Sequence, residues 1–135
     1  MARVEGAVNV TVPCRRLDEF VQDEPVALMK IDVEGFELAV LKGAEKSIDR
    51  SRPILYVEND RLEHSNALMD WLRAKNYRLW WHIPPLFNPA NFFGNANNIY
   101  GAVHSFNMLC LPAEGAIPPL ALPEALDNKH PLDRG

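Results

Sequence analysis

An α/β domain built on a mostly parallel sheet is the fold class this sequence predicts, and three observations predict it. Short apolar runs ("VALMKID", "PILYVEND", "YRLWWHI" and "SFNMLCL") are separated in part by stretches whose apolar residues recur at helical spacing. The resulting order is strand, helix, strand, helix, strand, loop, strand, with helices expected on the faces of the sheet. Two of the runs end on carboxylates, Asp32 and Glu58, at the carboxyl ends of strands, where such sheets bind ligands.

The elements follow in chain order. Val8 to Val12 alternates Val-Asn-Val-Thr-Val, a short strand that Pro13 confines to an edge or an end. "RRLDEFVQD" places Leu17, Phe20 and Val21 at helical spacing and stops before Pro25. "VALMKID" reads as a strand covered on both faces, as in parallel sheets. From Phe36 the period changes: Val40, Leu41, Ala44 and Ile48 share one helix face, and Lys42, Glu45, Lys46 and Asp49 lie elsewhere. Gly43 inside that helix reads as room for close packing on the sheet.

"PILYVEND" is the second strand. Ser65 is placed to cap a helix carrying Leu68, Met69, Trp71 and Leu72, and Asn76 suits the left-handed residue after its end. "YRLWWHI" alternates into a strand with two different faces. Residues 84–104 show neither period and read as one long loop, of a length that usually has a functional reason. Its Leu86, Phe87, Phe92 and Phe93 are expected to fold it onto the sheet. "SFNMLCL" is the last strand. Residues 1–112 form the domain, and the proline-rich tail 113–135 is expected to lie loosely on the surface.

A chain of 135 residues suits one domain. The net charge of -4 with no basic stripe argues against a nucleic-acid partner. No run of eighteen apolar residues exists, so neither a transmembrane helix nor a membrane partner is expected. "MARVEGAVNVTV" lacks the apolar core of a signal peptide, and the compartment reads as cytoplasmic. Cys14 and Cys110 read as reduced, packed thiols.

"LMKIDVEGFELAVLKGAEKSI" followed by "RPILYVEND" resembles the core signature of the FkbM-type methyltransferases, and the likeness runs from Leu17 to Pro112. The lysine, the Asp-x-Glu-Gly unit and the later glutamate recur together. The resemblance implies a class I, Rossmann-like fold and S-adenosylmethionine-dependent O-methylation of a hydroxyl on a sugar, polyketide or lipid-linked substrate. Such folds hold the cofactor with a glycine-rich turn, and no G-x-G occurs in this chain. The chain is therefore expected to be the C-terminal half of the domain, with family strands four to seven and without strands one to three. The last strand would insert antiparallel between the two before it. "VALMKID" would lack its usual neighbour, leaving a bare edge open to a homodimer.

Methyl transfer to a hydroxyl needs alignment and a base. Asp32 is the leading candidate for base, cofactor contact or metal ligand; its other reading is a cap of the following helix. Glu34 and Glu37 fall in that helix's first turn, Glu34 as a cofactor contact and Glu37 as a catalytic or substrate contact. By likeness to catechol-type enzymes, Asp32, Glu58 and Asn59 would form an oxygen set suited to Mg2+. Glu58 and His82 are further catalytic candidates. Asn59, Asn88, Asn91 and Asn95 are candidates for binding a small-molecule or glycan hydroxyl substrate. The competing class is a noncatalytic truncated product, or an interaction module that uses the bare strand edge.

Overall fold

The computed structural model describes residues 12–115, 117–119 and 121–134. The expected strand at Val8 to Val12 lies outside the described residues, apart from its last member. The described elements are α1 (Asp18–Val21), β1 (Leu28–Ile31), α2 (Glu37–Gly43), α3 (Glu45–Ser51), β2 (Ile54–Glu58), α4 (Leu62–Ala74), β3 (Tyr77–His82) and β4 (Asn107–Pro112), followed by a 3-10 turn at Pro131–Arg134. The four strands make one sheet in the order β1-β2-β4-β3. β1 and β2 are parallel, and β4 runs antiparallel to both β2 and β3, so β1, β2 and β3 share one direction. The antiparallel insertion of the last strand is as the resemblance implied.

The core lies on one face of this sheet. Met29, Ile31, Leu55, Val57, Tyr77, Leu79, Trp81, Met108 and Cys110 alternate inward. Leu41, Ala44 and Ile48 from α2 and α3, and Leu68, Met69 and Leu72 from α4, close over them. Each buried Leu, Ile, Val and Met among them contributes about 1.5–3 kcal/mol by leaving water. The opposite face is barer, which corrects the expectation that β1 is covered on both sides. Leu28 is 61% exposed and Ile54 and Lys30 are exposed too, because the helices all pack on the Met29 and Ile31 side.

Local details depart from the sequence reading for identifiable reasons. The helix expected from Phe36 is two helices broken at Ala44, whose φ of -108° and ψ of 9° leave the helical region. Gly43 faces the chain entering α1, not the sheet: a Cβ there would stand 3.7 Å from the Arg16 Cα, an ordinary contact. Ser65 lies inside α4, which begins at Leu62, so it caps nothing. Its hydroxyl is buried and accepts from the Asn59 amide at 3.0 Å. Asn76 does take the left-handed conformation, φ +59°. Cys110 is buried, but Cys14 is exposed.

The end of the chain does not lie loosely. It straps the outer edge of β3: the Trp81 amide donates to the Pro123 carbonyl, and the Ala125 amide donates to the Leu79 carbonyl. Arg73 of α4 donates to the carbonyls of Ala125 and Asp127. His130 is buried against Trp81 and Phe106, with its Nε2 2.8 Å from the Asn59 carbonyl oxygen. The Leu132 amide donates to His130 Nδ1, so Nε2 carries the proton and donates to Asn59. Among the described residues, β1 has no strand on its outer side.

Candidate active site

The register of β1 on β2 pairs Ile31 with Val57, so Asp32 and Glu58 emerge side by side. β4 continues the row, pairing Asn107 with Glu58 on one side and with His82 on the other. Asp32, Glu58, Asn107 and His82 thus stand in line at the carboxyl ends of three parallel strands, where α/β sheets place their sites. Two residues back along each strand, on the same face, lie Lys30 and Tyr56.

Each side chain is held by a specific contact. Lys30 Nζ donates to Asp32 Oδ2 at 2.7 Å. That bond, more than any other contact, holds the Asp32 carboxyl below its usual range. The turn after Asp32 is left-handed at two successive residues, Glu34 at φ +54° and Gly35 at φ +96°, and the second suits glycine. Glu37 Oε1 accepts from the amides of Val33 and Gly35, which locks the turn. Glu34 is thereby thrown back over the sheet edge, where Arg61 Nη2 reaches its Oε2 at 2.6 Å.

Glu58 is the electrostatic centre. Burial pushes its carboxyl up to about 7, and the neighbouring charges of Asp60, Asp32 and Glu34 push the same way. Its Oε2 is buried with no donor among the described residues. Once Glu58 takes up a proton, it donates to Asp32, so the two carboxyls share one proton. One oxygen from each of Asp32, Glu34 and Glu58 lies within 4.8 Å of the others. Beside them the Tyr56 hydroxyl stands 2.7 Å from His82 Nδ1. Burial raises the Tyr56 phenol above its ordinary range, so the hydroxyl keeps its proton.

The structure sorts the candidates from sequence. It brings together Asp32, Glu34, Glu58 and His82. It does not bring in Glu37, whose buried side chain serves the turn, or Asn59, whose side chain points into the core toward Ser65 Oγ and Met108 sulfur. The Mg2+ set of Asp32, Glu58 and Asn59 therefore does not assemble, and Glu34 stands where Asn59 was expected. Asp32 does not cap α2, which starts at Glu37 with no side-chain cap. Asn88, Asn91 and Asn95 spend their amides on loop backbone instead of facing the edge. Sequence reasoning missed Tyr56, Lys30, Arg61 and Asn107. Tyr56 and Lys30 were accessible to the period-two rule, since each lies two residues before a chosen carboxylate; Arg61 and Asn107 needed the tertiary structure.

A groove of about 320 Å³ between α2 and α4 is lined by Gly35, Phe36, Glu63 and His64. Two others, of about 620 and 420 Å³, lie beside α1 and in the loop. None takes in Asp32, Glu58 or His82. The row lies on the face that no described helix covers, yet Asn107 and Glu58 Oε2 are buried within it.

Comparison with known proteins places this row in a lineage. No curated protein and no solved structure matches the chain. A family model, the methyltransferase FkbM domain, matches residues 2–79. The match takes in Asp32, Glu34, Glu58 and Tyr56 and ends within β3, so the likeness read onward to Pro112 lies beyond it. Because the match spans more than half of the sequence, this chain belongs to the FkbM methyltransferase family.

Proposed function

We propose that this chain supplies the substrate side of an S-adenosylmethionine-dependent O-methyltransferase whose acceptor is a hydroxyl of a sugar, polyketide or lipid-linked molecule. The family supports the cofactor, whose methyl carbon exchanges its bond to sulfur for a bond to the acceptor oxygen. One observation carries the role of the residues: the carboxylates of Asp32, Glu34 and Glu58 converge within 4.8 Å on the strand edge, where burial and these neighbours push Glu58 up to about 7. A base poised there takes the acceptor hydroxyl's proton most effectively at ordinary pH. His82 flanks the same edge and is a second base, through Nε2 when Nδ1–H donates to Tyr56. Asp32 and Glu34, both exposed acceptors, suit the hydroxyls or ammonium of the cofactor.

The chain has no glycine-rich turn, and in this reading its four strands are the family's fourth to seventh. S-adenosylmethionine should then bind this polypeptide alone only weakly. Tight, stoichiometric binding by calorimetry would overturn that half of the reading. The base is tested in a family member that does carry the turn. Replacing the residues matching Glu58 by Gln and His82 by Gln should lower kcat at least tenfold at one of them. Undiminished transfer in both variants would remove the assignment.

A divalent cation on Asp32, Glu34 and Glu58 is the second reading, favoured by their three convergent oxygens. Lys30 and Arg61 already neutralise two of the three. Following the Glu58 carboxyl carbon by NMR during a Mg2+ titration decides the matter. A saturable shift supports the cation, and an unchanged resonance supports the shared proton.

A further inference from the structure

The C-terminal strap makes one contact that its hold on β3 does not require. His130 is 1% exposed, with its ring edge to face on Trp81 and tilted against Phe106. From there Nε2–H donates to the Asn59 carbonyl at 2.8 Å, across 71 residues of sequence. Asn59 directly follows Glu58 and directly precedes Asp60. His130 lies far beyond residues 2–79, so the family likeness assigns it nothing.

The place of Asn59 matters because of what flanks it. Burial comes first in raising the Glu58 carboxyl, and Asp60 is foremost among the charges that add to it. Asp60 Oδ1 is itself buried without a hydrogen bond among the described residues, with Arg61 Nε 3.4 Å away. Like charges on either side of one residue move apart if the backbone between them can turn. The Asn59 amide is held by the Phe106 carbonyl at 2.7 Å, and its side chain by Ser65 Oγ and the Met108 sulfur. Among the described residues, His130 is what holds the Asn59 carbonyl, and that carbonyl belongs to the peptide leading into Asp60. The ring suits the task. Its Nδ1 accepts from the Leu132 amide, which leaves the one proton of a neutral imidazole on Nε2, aimed at Asn59. Arg73 anchors the strap in turn, donating to the carbonyls of Ala125 and Asp127 and to Asn128 Oδ1.

We propose that His130 is a positioning residue of the candidate site: its bond to the Asn59 carbonyl sets the Asn59–Asp60 peptide and so holds Asp60 beside Glu58. The strap that carries His130 is thereby a working part of the site. On the functional reading above, this contact keeps Glu58 poised as the base. The positioning itself stands without that reading, which is tested by methyl transfer in another family member, so the two can fail separately.

The test uses the full chain, with no activity measured. His130→Gln keeps a side-chain N–H for Asn59, whereas His130→Phe keeps a ring between Trp81 and Phe106 and has no donor. Residual dipolar couplings of the Asp60 amide report the orientation of its peptide plane. They should change in the Phe variant and stay at the wild-type values in the Gln variant. The Glu58 carboxyl-carbon resonance at neutral pH should follow, moving toward its ionised position in the Phe variant alone as Asp60 turns away. The wild type by itself gives a third reading: the His130 Nε2 proton should appear as an imidazole resonance that exchanges slowly with water. Couplings unchanged in the Phe variant would overturn the proposal. Equal changes in both variants would do so too, by assigning the effect to ring packing. Changed Asp60 couplings with an unmoved Glu58 resonance, or an Nε2 proton that exchanges as fast as that of free imidazole, would overturn it equally.

Discussion

The Tyr56 hydroxyl lies 2.7 Å from His82 Nδ1, across two strands that are not neighbours in the sheet. β4 separates β2 from β3, so the two rings meet above it on the face that the helices do not cover. If Nδ1–H donates to the tyrosine oxygen, Nε2 is left as a free base. Tyr56→Phe removes the acceptor and should shift His82 toward the Nε2–H tautomer, visible in imidazole 15N shifts. In an active family member the same change should lower kcat more than KM. An unchanged tautomer would show that Tyr56 does not position His82.

Glu58 should make stability fall as pH rises. Its folded-state carboxyl titrates at about 7, above its ordinary value, so the folded state holds a proton that the unfolded state has released. The stabilisation is complete below the unfolded value and is lost as pH rises through the folded one. Thermal melts should therefore decline between about pH 4.5 and 7.5, and Glu58→Gln should flatten that decline. A wild-type melt that stays level over this range would contradict the shared proton.

Asp18 caps a helix to which it does not belong. α3 starts after Ala44, which offers no side-chain acceptor, and Asp18 accepts from the amides of Lys46 and Ser47 and from the Ser47 hydroxyl. Burial raises its carboxyl, but these bonds outweigh burial and leave it lowered. Asp18→Ala should cost about 1–2 kcal/mol in urea unfolding at neutral pH. The lowered value means the contribution is present above the unfolded pKa and lost as pH falls through the folded one. An Asp18→Ala loss that persisted undiminished in acid would assign the cost to packing instead.

The two edges of the sheet should exchange amide hydrogens differently. β3 is strapped by residues 123–125, so the Trp81 amide should exchange slowly at any concentration. β1 has a bare outer side among the described residues, and homodimer formation through it would slow exchange along Leu28–Ile31 in a way that dilution reverses. Fast exchange there at every concentration would leave the edge tolerated bare and the dimer without support.

The local rules worked where a residue's role depends on its own neighbours in sequence. Apolar runs located all four strands, and Asn76 marked the end of α4. They failed where a role depends on who arrives from elsewhere. Ser65 looks like a cap because serine often is one, but Arg61 precedes the helix and Asn59 claims the hydroxyl. The tail shows no period, so it reads as loose. Its order comes from backbone bonds to β3 and from Arg73, which no pattern within 121–134 displays.

By itself the sequence determined the α/β class, the strand ends that carry Asp32, Glu58 and His82, and the family signature around them. These follow from period, turn chemistry and motif, all of which act over a few residues. Only the tertiary structure decided that Asn59 turns into the core, that Glu34 joins Asp32 and Glu58, and that Tyr56 reaches His82. It also decided that Phe92 and Phe93 face outward. Register and the packing of helices on one face alone set these outcomes. A strand's alternation fixes which residues share a side, and the sheet's long-range pairing decides what that side meets.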